Sequence, residues 1–138
     1  MKATGGSGLL RIAGYAALFD TVDAARDTIV KGAFARTLSE RREPLPLFWQ
    51  HRAEQQVGLV ELAQEDSRGL RVIARVDKMA SRAAAALREH AVSGLSFGYR
   101  VRLYRRLPAG RLLEDIDLFE ISLVTHPVQY EARIHLVQ

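Results

Sequence analysis

The stretch LSFGYRVRL, residues 95–103, decides the fold, because its apolar and polar side chains alternate with a period of two. Such alternation is typical of a strand with one buried face. One face carries Leu95, Phe97 and Tyr99, and the other carries Ser96, Gly98, Arg100 and Arg102. The stretch therefore predicts a strand that brings a serine to the face opposite its aromatic row.

The stretch LFEISLV, residues 118–124, predicts a second strand of the same kind. Its parity places Phe119, Ile121 and Leu123 in one apolar row, and Leu118, Glu120, Ser122 and Val124 on the opposite face. A carboxylate is costly to bury unless a partner compensates its charge. Glu120 is therefore either an ion-pair partner, for example of Arg100, or part of a site.

The rest of the chain predicts a β-rich domain. Further strands are predicted over residues 9–19 (interrupted by Gly14), 45–49, 112–116 and 132–137. A hairpin is predicted to join strands 57–62 and 69–76 through the turn-rich segment 64–68. Helices are predicted over residues 32–42 and 80–91, and a polar loop over residues 20–27. Strands and helices do not alternate regularly, which disfavours a doubly wound parallel sheet. We expect an α+β fold: a closed or partly closed, mainly antiparallel β-barrel flanked by two or three helices.

Length and composition narrow the class of protein. With 138 residues, of which 48% are hydrophobic and 26% charged, the chain fits one globular domain over residues 1–138. The absence of cysteine excludes disulfide scaffolds, Cys-ligated zinc and thiol catalysis. No apolar run approaches the ~18 residues of a membrane span, so we expect no membrane partner. The four histidines are scattered without an H-E-x-x-H motif, so we expect neither metal nor cofactor.

The charge balance leaves one alternative function open. The net charge of +4 permits contact with nucleic acid without requiring it, since acidic residues are interspersed almost everywhere. The Arg-rich stretch from Arg100 to Arg106 is the natural candidate for a non-catalytic scaffold or nucleic-acid-binding module. Single-stranded binders combine a basic groove with exposed aromatic rings. Here Tyr99 falls on the apolar face, so we do not expect a nucleic-acid partner.

Ser96, His51 and Glu120 supply the residue types that nucleophilic acyl transfer needs. A serine hydroxyl is a weak nucleophile until a neutral imidazole takes its proton, and a carboxylate fixes the imidazole tautomer. Each residue also has a structural interpretation: Ser96 as a tight backbone passage, His51 as a loop-end histidine, Glu120 as an ion-pair partner. The segment GLSFG also matches the nucleophile elbow G-x-S-x-G, which needs a helix after the serine. A β pattern follows instead, so the elbow is rejected.

Five segments match a family pattern in order and approximate spacing. They are Gly32-Ala33-Phe34 followed by a helix; LPLFWQH (45–51) with Val57-Gly58 shortly after; DSRGLRV (66–72); SGLSFGY (93–99); and DLFEISLVTHP (117–127). Through them, most of residues 14–134 resembles the prohead proteases of tailed bacteriophages, which are serine proteases that trim scaffold and capsid protein during head maturation. The same type occurs in gene transfer agents.

The resemblance implies a role for each candidate residue. Ser96 corresponds to the nucleophile, His51 to the general base and Glu120 to the third member. The family is related in fold to herpesvirus assemblins, in which a β-barrel is ringed by helices and the third member is a histidine, so His126 is a rival to Glu120. Gly98, Arg100 and the loop after Val124 are candidates for oxyanion or substrate contacts.

The resemblance also implies partners and a location. The expected substrates are the major capsid protein, a scaffold protein, or both, with self-cleavage and a homodimer as further expectations. The expected location is the bacterial host cytoplasm, inside the assembling prohead. The family commonly has P-A-N where this chain has Pro127-Val128-Gln129. Many members carry a longer C-terminal extension, so this chain corresponds to a processed core, a trimmed form or a naturally short one.

Overall fold

A computed structural model describes residues 10–77 and 81–137. In chain order the elements are β1 (Leu10–Leu18), β2 (Asp27–Ile29), α1 (Ala35–Glu40), β3 (Pro46–Trp49), β4 (Arg52–Glu65), β5 (Gly69–Val76), α2 (Ser81–Arg88), β6 (Gly94–Leu107), β7 (Gly110–Val124) and β8 (Ile134–Val137). None of the helices in these ranges is long and apolar enough to cross a bilayer.

The sheet is organised around β7. One edge of β7 pairs with β6 in antiparallel fashion from Gly94↔Val124 to Leu107↔Gly110. Its other edge pairs in parallel with β2 and then with β3, and the sheet continues through β4, β5, β1 and β8 by antiparallel pairing. Arg133, just before β8, bridges back to Gly94 of β6. The sheet therefore curls into a partly closed, mainly antiparallel barrel, as predicted.

The curled sheet encloses one apolar core. Its largest fully buried side chains include Phe34, Leu47, Leu70, Leu95, Ile121 and Leu123. On α2, Ala83, Ala84 and Leu87 turn the same face inward, which is the spacing of an amphipathic helix. Helix α1 begins without a side-chain cap of its own. The carboxylate of Glu65 accepts the N–H groups of Gly32 and Phe34, which directly precede α1, and so caps the N-terminus of the helix from β4.

Several predicted boundaries change in the structure. The two strands predicted over 112–116 and 118–124 are one strand, β7. The predicted loop 20–27 ends in β2, a short strand that pairs in parallel with β7. Strand β1 runs through Gly14 without a break. The predicted hairpin is confirmed, although β4 begins at Arg52. Both helices are shorter than predicted, and Ala80, predicted to begin the second one, lies outside the described residues.

The predicted apolar row of β7 is wrong at Phe119. Gly98 pairs with Glu120, whereas the next residue, Tyr99, pairs with Leu118, so Phe119 is an extra residue in a β-bulge. A bulge reverses the alternation of faces beyond it. Phe119 is consequently 48% exposed, while Leu118 is buried in the core. Glu120 and Ser122 lie C-terminal to the bulge and keep the face predicted for them, whereas Leu118, predicted to share that face, lies N-terminal to the bulge and packs in the core.

Candidate active site

His51 stands at the tip of the β3–β4 hairpin. The two-residue loop consists of Gln50 (φ 52°) and His51 (φ 63°), between Trp49 and Arg52, which pair across the hairpin. Positive φ at both central positions is what a type I′ turn requires, and its usual residues are Asn and Gly. The N–H of Gln50 donates to the Leu123 carbonyl at 2.9 Å and holds this strained tip against β7. The turn thus brings an imidazole to the end of β7.

Glu120 lies beneath that imidazole. Its side chain is 8% exposed, and its Oε1 atom lies 2.7 Å from Nδ1 of His51. Because a carboxylate only accepts hydrogen bonds, Nδ1 carries the proton, and Nε2 of the neutral ring is left as an acceptor. The hydrogen bond to Glu120 raises the pKa of His51 above its ordinary value of 6.5, against partial burial, which lowers it. The pair therefore has a defined tautomer and an elevated basicity.

Ser122 completes the support of this pair. Its buried hydroxyl donates to Oε2 of Glu120 at 2.6 Å and accepts the backbone N–H of His51 at 3.1 Å. One side chain thus fixes both the carboxylate and the turn that carries the imidazole. Our sequence reasoning did not single out Ser122. The available signal was a second polar residue two positions after Glu120 on the same face of an apolar strand.

Ser96 lies on the neighbouring strand, directly opposite Ser122 in the β6–β7 register. It is 6% exposed and shares with His51 a cavity of about 70 Å³. Among the described residues its hydroxyl makes no hydrogen bond, and none joins it to His51. Catalytic hydrogen bonds are often long in a protein without substrate and tighten in the complex. The serine and the imidazole therefore line one cavity but share no hydrogen bond in this structure.

The loop after β7 forms another wall of this cavity through Val128 and Gln129. Gln129 is buried, and its amide accepts the Leu18 N–H at 2.6 Å and donates to the Leu18 carbonyl at 2.9 Å. The carbonyl of Val128 accepts the N–H of Ala24 at 3.1 Å. Gln129 therefore anchors this loop to β1 through both polar groups of its side-chain amide.

The remaining candidates from the sequence do not line the cavity of Ser96 and His51. His126 is exposed and does not line the cavity, so Glu120 and not His126 contacts His51. Gly98 faces Glu120, and a Cβ atom there would lie 2.7 Å from its Oε1. The guanidinium of Arg100 donates to Asp117 at 3.1 Å, not to Glu120, and is 67% exposed.

The arginines of the stretch 100–106 are largely paired with acidic side chains. Arg100 and Arg102 both donate to Asp117, and Arg105 donates to Glu114. A nucleic-acid site needs arginines that are available to phosphates, so this pairing disfavours that alternative. Within residues 10–77 and 81–137, no group of three or more His, Cys, Asp or Glu side chains is placed to hold a metal ion.

The sequence relatives are phage proteins. The profile of the caudovirus prohead serine protease family matches residues 1–138. Over 128 residues the chain is 34% identical to the prohead protease of Enterobacteria phage HK97, covering 88% of this chain and 57% of that protein. Over 106 residues it is 26% identical to the capsid polyprotein of Pseudomonas phage PAJU2, covering 69% of this chain and 16% of that protein. The chain thus spans only part of each relative.

Solved viral proteases share the fold. The capsid assembly protease of bacteriophage T4 superposes with a TM-score of 0.67 at 15% identity, covering 85% of this chain and 82% of that one. The KSHV protease bound to a hexapeptide phosphonate inhibitor superposes with a TM-score of 0.65 at 14% identity, covering 94% of this chain and 65% of that one. The varicella-zoster virus protease superposes with a TM-score of 0.61 at 16% identity, covering 91% of this chain and 63% of that one. The predicted similarity in fold to the herpesvirus assemblins is confirmed. Because the family profile matches the whole chain, the protein belongs to the caudovirus prohead serine protease family.

Proposed function

We propose that residues 1–138 form a serine endopeptidase domain that cleaves capsid or scaffold protein during phage-type head maturation. Ser96 is the nucleophile, His51 the general base and Glu120 the residue that orients His51. The observation that carries this proposal is the 2.7 Å contact between Nδ1 of His51 and Glu120, with His51 and Ser96 lining one cavity. The contact with Glu120 leaves Nε2 as the free imidazole nitrogen, and the shared cavity supports Ser96 as the group whose proton Nε2 takes.

The first half of the reaction forms an acyl-enzyme. The Oγ atom of Ser96 bonds to the scissile carbonyl carbon while its proton passes to Nε2 of His51. Glu120 stabilises the resulting imidazolium through Nδ1–H. When the tetrahedral intermediate collapses, the C–N bond breaks, and His51 returns the proton to the departing amine. The N-terminal fragment of the substrate stays esterified to Ser96.

The second half repeats this sequence with water. His51 takes a proton from water as its oxygen bonds to the ester carbon, and then protonates Oγ of Ser96 as the acid product leaves. Both halves develop negative charge on the carbonyl oxygen, so donors must face that position. The backbone N–H groups of Val128 and Gln129, which make no hydrogen bond in the described part of the chain, border the cavity and are the donors we propose.

The relatives support the proposed substrate and location. A relative named as a capsid polyprotein and a structural neighbour named as a capsid assembly protease support a capsid-related substrate. We place the activity in the bacterial host, inside the assembling prohead. Self-association is part of the proposal through the family resemblance: the confined particle would raise protease concentration. Specific activity that rises with protein concentration supports it, and a fully active monomer at every dilution contradicts it.

The test is co-expression with the major capsid protein of the same phage-type particle, read by intact mass. Wild-type protease should produce a discrete truncation of the capsid protein, and Ser96→Ala should leave it intact, with activity at least ~10⁴-fold lower. The matched control is Ser39→Ala, because Ser39 is exposed on α1 and, among residues 10–77 and 81–137, its hydroxyl hydrogen-bonds only to the Arg36 carbonyl. This variant should cleave as the wild type does. Equal truncation by Ser96→Ala, or unchanged capsid mass with wild type in assembled particles, would contradict the proposal.

A further inference from the structure

A carboxylate stands in the wall of the cavity that holds Ser96 and His51. Asp23, in the loop between β1 and β2, lines this cavity together with Tyr99 and Val128. The catalytic roles proposed above do not involve it. A charged side chain beside the nucleophile faces the part of a substrate next to the bond that is cut.

The loop holds this carboxylate in place. Oδ1 of Asp23 accepts the N–H groups of Ala25 at 2.8 Å and Asp27 at 2.9 Å. The backbone N–H of Asp23 donates to the Asp27 carbonyl, and the Asp23 carbonyl accepts the N–H of Arg26. This is an Asx-type turn, which orients its side chain. The carboxylate is therefore pre-positioned before any substrate arrives.

Asp23 also differs from the acidic groups around it. Asp27 forms a bidentate pair with Arg111, and Glu120 is bonded to His51. Within the ranges that the structure describes, Asp23 forms no salt bridge, and its second oxygen accepts no hydrogen bond. Burial and the charges of Asp27 and Asp23 raise the pKa of Tyr99, only partly offset by Arg111. This wall of the cavity is thus electronegative.

The size and lining of the cavity limit what can enter. Its volume of about 70 Å³ has room for only a handful of atoms of the size of a water molecule. Apart from Asp23 and the catalytic pair, the lining is mostly apolar or aromatic, with Ala16, Leu95 and Phe97 among its members. A slender apolar stem that ends in a cation fits both features, and lysine has a flexible four-carbon stem with a compact ammonium.

We propose that Asp23 selects a basic residue, with lysine fitting best, at the substrate position whose carbonyl carbon Ser96 attacks. The apolar walls hold the aliphatic stem, and the free oxygen of Asp23 accepts the ammonium. This assignment rests on the proposed function, because it requires Ser96 to be the nucleophile. It adds the substrate class that the site recognises.

The test uses two peptidyl phosphonate diphenyl esters that differ only in the side chain at this position, lysine against norleucine, which keeps the four-carbon stem and lacks the ammonium. Oγ of Ser96 bonds to phosphorus, and phenoxide departs with the proton that His51 took from the serine, so intact mass reports each adduct. The wild-type protein should react roughly 10- to 100-fold faster with the lysine probe, the value of a hydrogen bond to a charged group. Ser96→Ala should react with neither.

Asp23→Asn removes the charge and keeps a residue that favours the same turn, so the fold should survive. In this variant the preference should fall to about 1, through a loss of rate with the lysine probe only. Asp20→Asn is the matched control: it lies in the same loop outside the cavity, and its positive φ of 60° tolerates asparagine. It should keep the wild-type preference.

The outcomes separate the two proposals. Equal labelling of wild type by both probes, or an unchanged preference in Asp23→Asn, would overturn the role of Asp23 and leave the protease assignment intact. Labelling by neither probe, or equal labelling of Ser96→Ala, would overturn the proposed function and this assignment with it.

Discussion

Gly98 of β6 lies directly opposite Glu120 of β7, and the glutamate side chain occupies the space above it. A Cβ atom on residue 98 would lie 2.7 Å from Oε1 and 2.8 Å from Cγ of Glu120, too close for either atom to remain where it is. The glycine therefore makes room for the carboxylate that holds His51. Its place in the GLSFG segment has this explanation and not that of a nucleophile elbow.

Gly98→Ala should lower activity while leaving the protein folded. The added methyl group meets a flexible side chain, which can move, but the movement takes Oε1 away from Nδ1 of His51. A displacement of about 1 Å in a catalytic group can cost ~10²-fold in rate. Labelling of Ser96 by the phosphonate probe measures the rate, and circular dichroism measures the folded fraction.

Gly32→Ala is the control for this change. Gly32 has a φ of 98°, and no atom of the residues that the structure describes would lie within 4 Å of an added Cβ. It should therefore cost stability through backbone strain, on the order of 1 kcal/mol, with full activity per folded molecule. Full activity in Gly98→Ala would show that Glu120 is not needed where the structure places it.

The rate should rise with pH through a midpoint above 6.5. His51 must be neutral to accept the proton of Ser96, and its hydrogen bond to Glu120 raises its pKa. The midpoint should therefore lie above that of an unperturbed histidine. A pH profile of the labelling rate gives the midpoint, and NMR titration of His51 in Ser96→Ala gives its pKa. Titration below 6.5 would contradict the His51–Glu120 pair.

Stability should respond to pH in the opposite direction. Since the pKa of His51 is higher in the folded than in the unfolded protein, its contribution is fully present below the unfolded value and is lost as pH rises through the folded value. The free energy of unfolding should thus fall across this window relative to Glu120→Gln. Urea unfolding of both proteins across the window measures it, and parallel curves would contradict the prediction.

Ser122→Ala should reduce both activity and stability. The change removes the donor to Oε2 of Glu120 and the acceptor for the His51 N–H. Unsatisfied buried polar groups cost about 1–3 kcal/mol, and a loosened carboxylate should lower the rate about 10-fold per folded molecule. The pH midpoint of labelling should shift as well, which a purely structural role would not produce. Ser39→Ala serves again as the control, and a wild-type rate and midpoint in Ser122→Ala would refute the positioning role.

Gln129→Ala should destabilise the protein by about 1–3 kcal/mol, because it leaves the buried N–H and carbonyl of Leu18 without partners. Urea unfolding measures the loss. Gln64→Ala, an exposed glutamine on β4, should change stability by less than about 0.5 kcal/mol. If both variants unfold alike, the amide of Gln129 does not anchor the loop.

The sequence by itself determined the β-rich fold, the family and the shared face of Glu120 and Ser122. Alternation of side chains is local, so it assigns these two residues to one face of their strand. The ordered motifs also named Ser96, His51 and Glu120 as candidates. None of this required knowledge of which strands pair.

Only the tertiary structure decided how these residues meet. His51 and Glu120 are 69 positions apart, and their contact depends on β3 pairing with β7 and on a strained turn that local propensity does not favour. The bulge at Phe119 reverses the faces beyond it, which alternation alone cannot reveal. The support by Ser122, the space at Gly98 and the anchoring by Gln129 likewise arise from register. A shift of one residue would turn each side chain to the other face, so the site is a property of the pairing and not of any single strand.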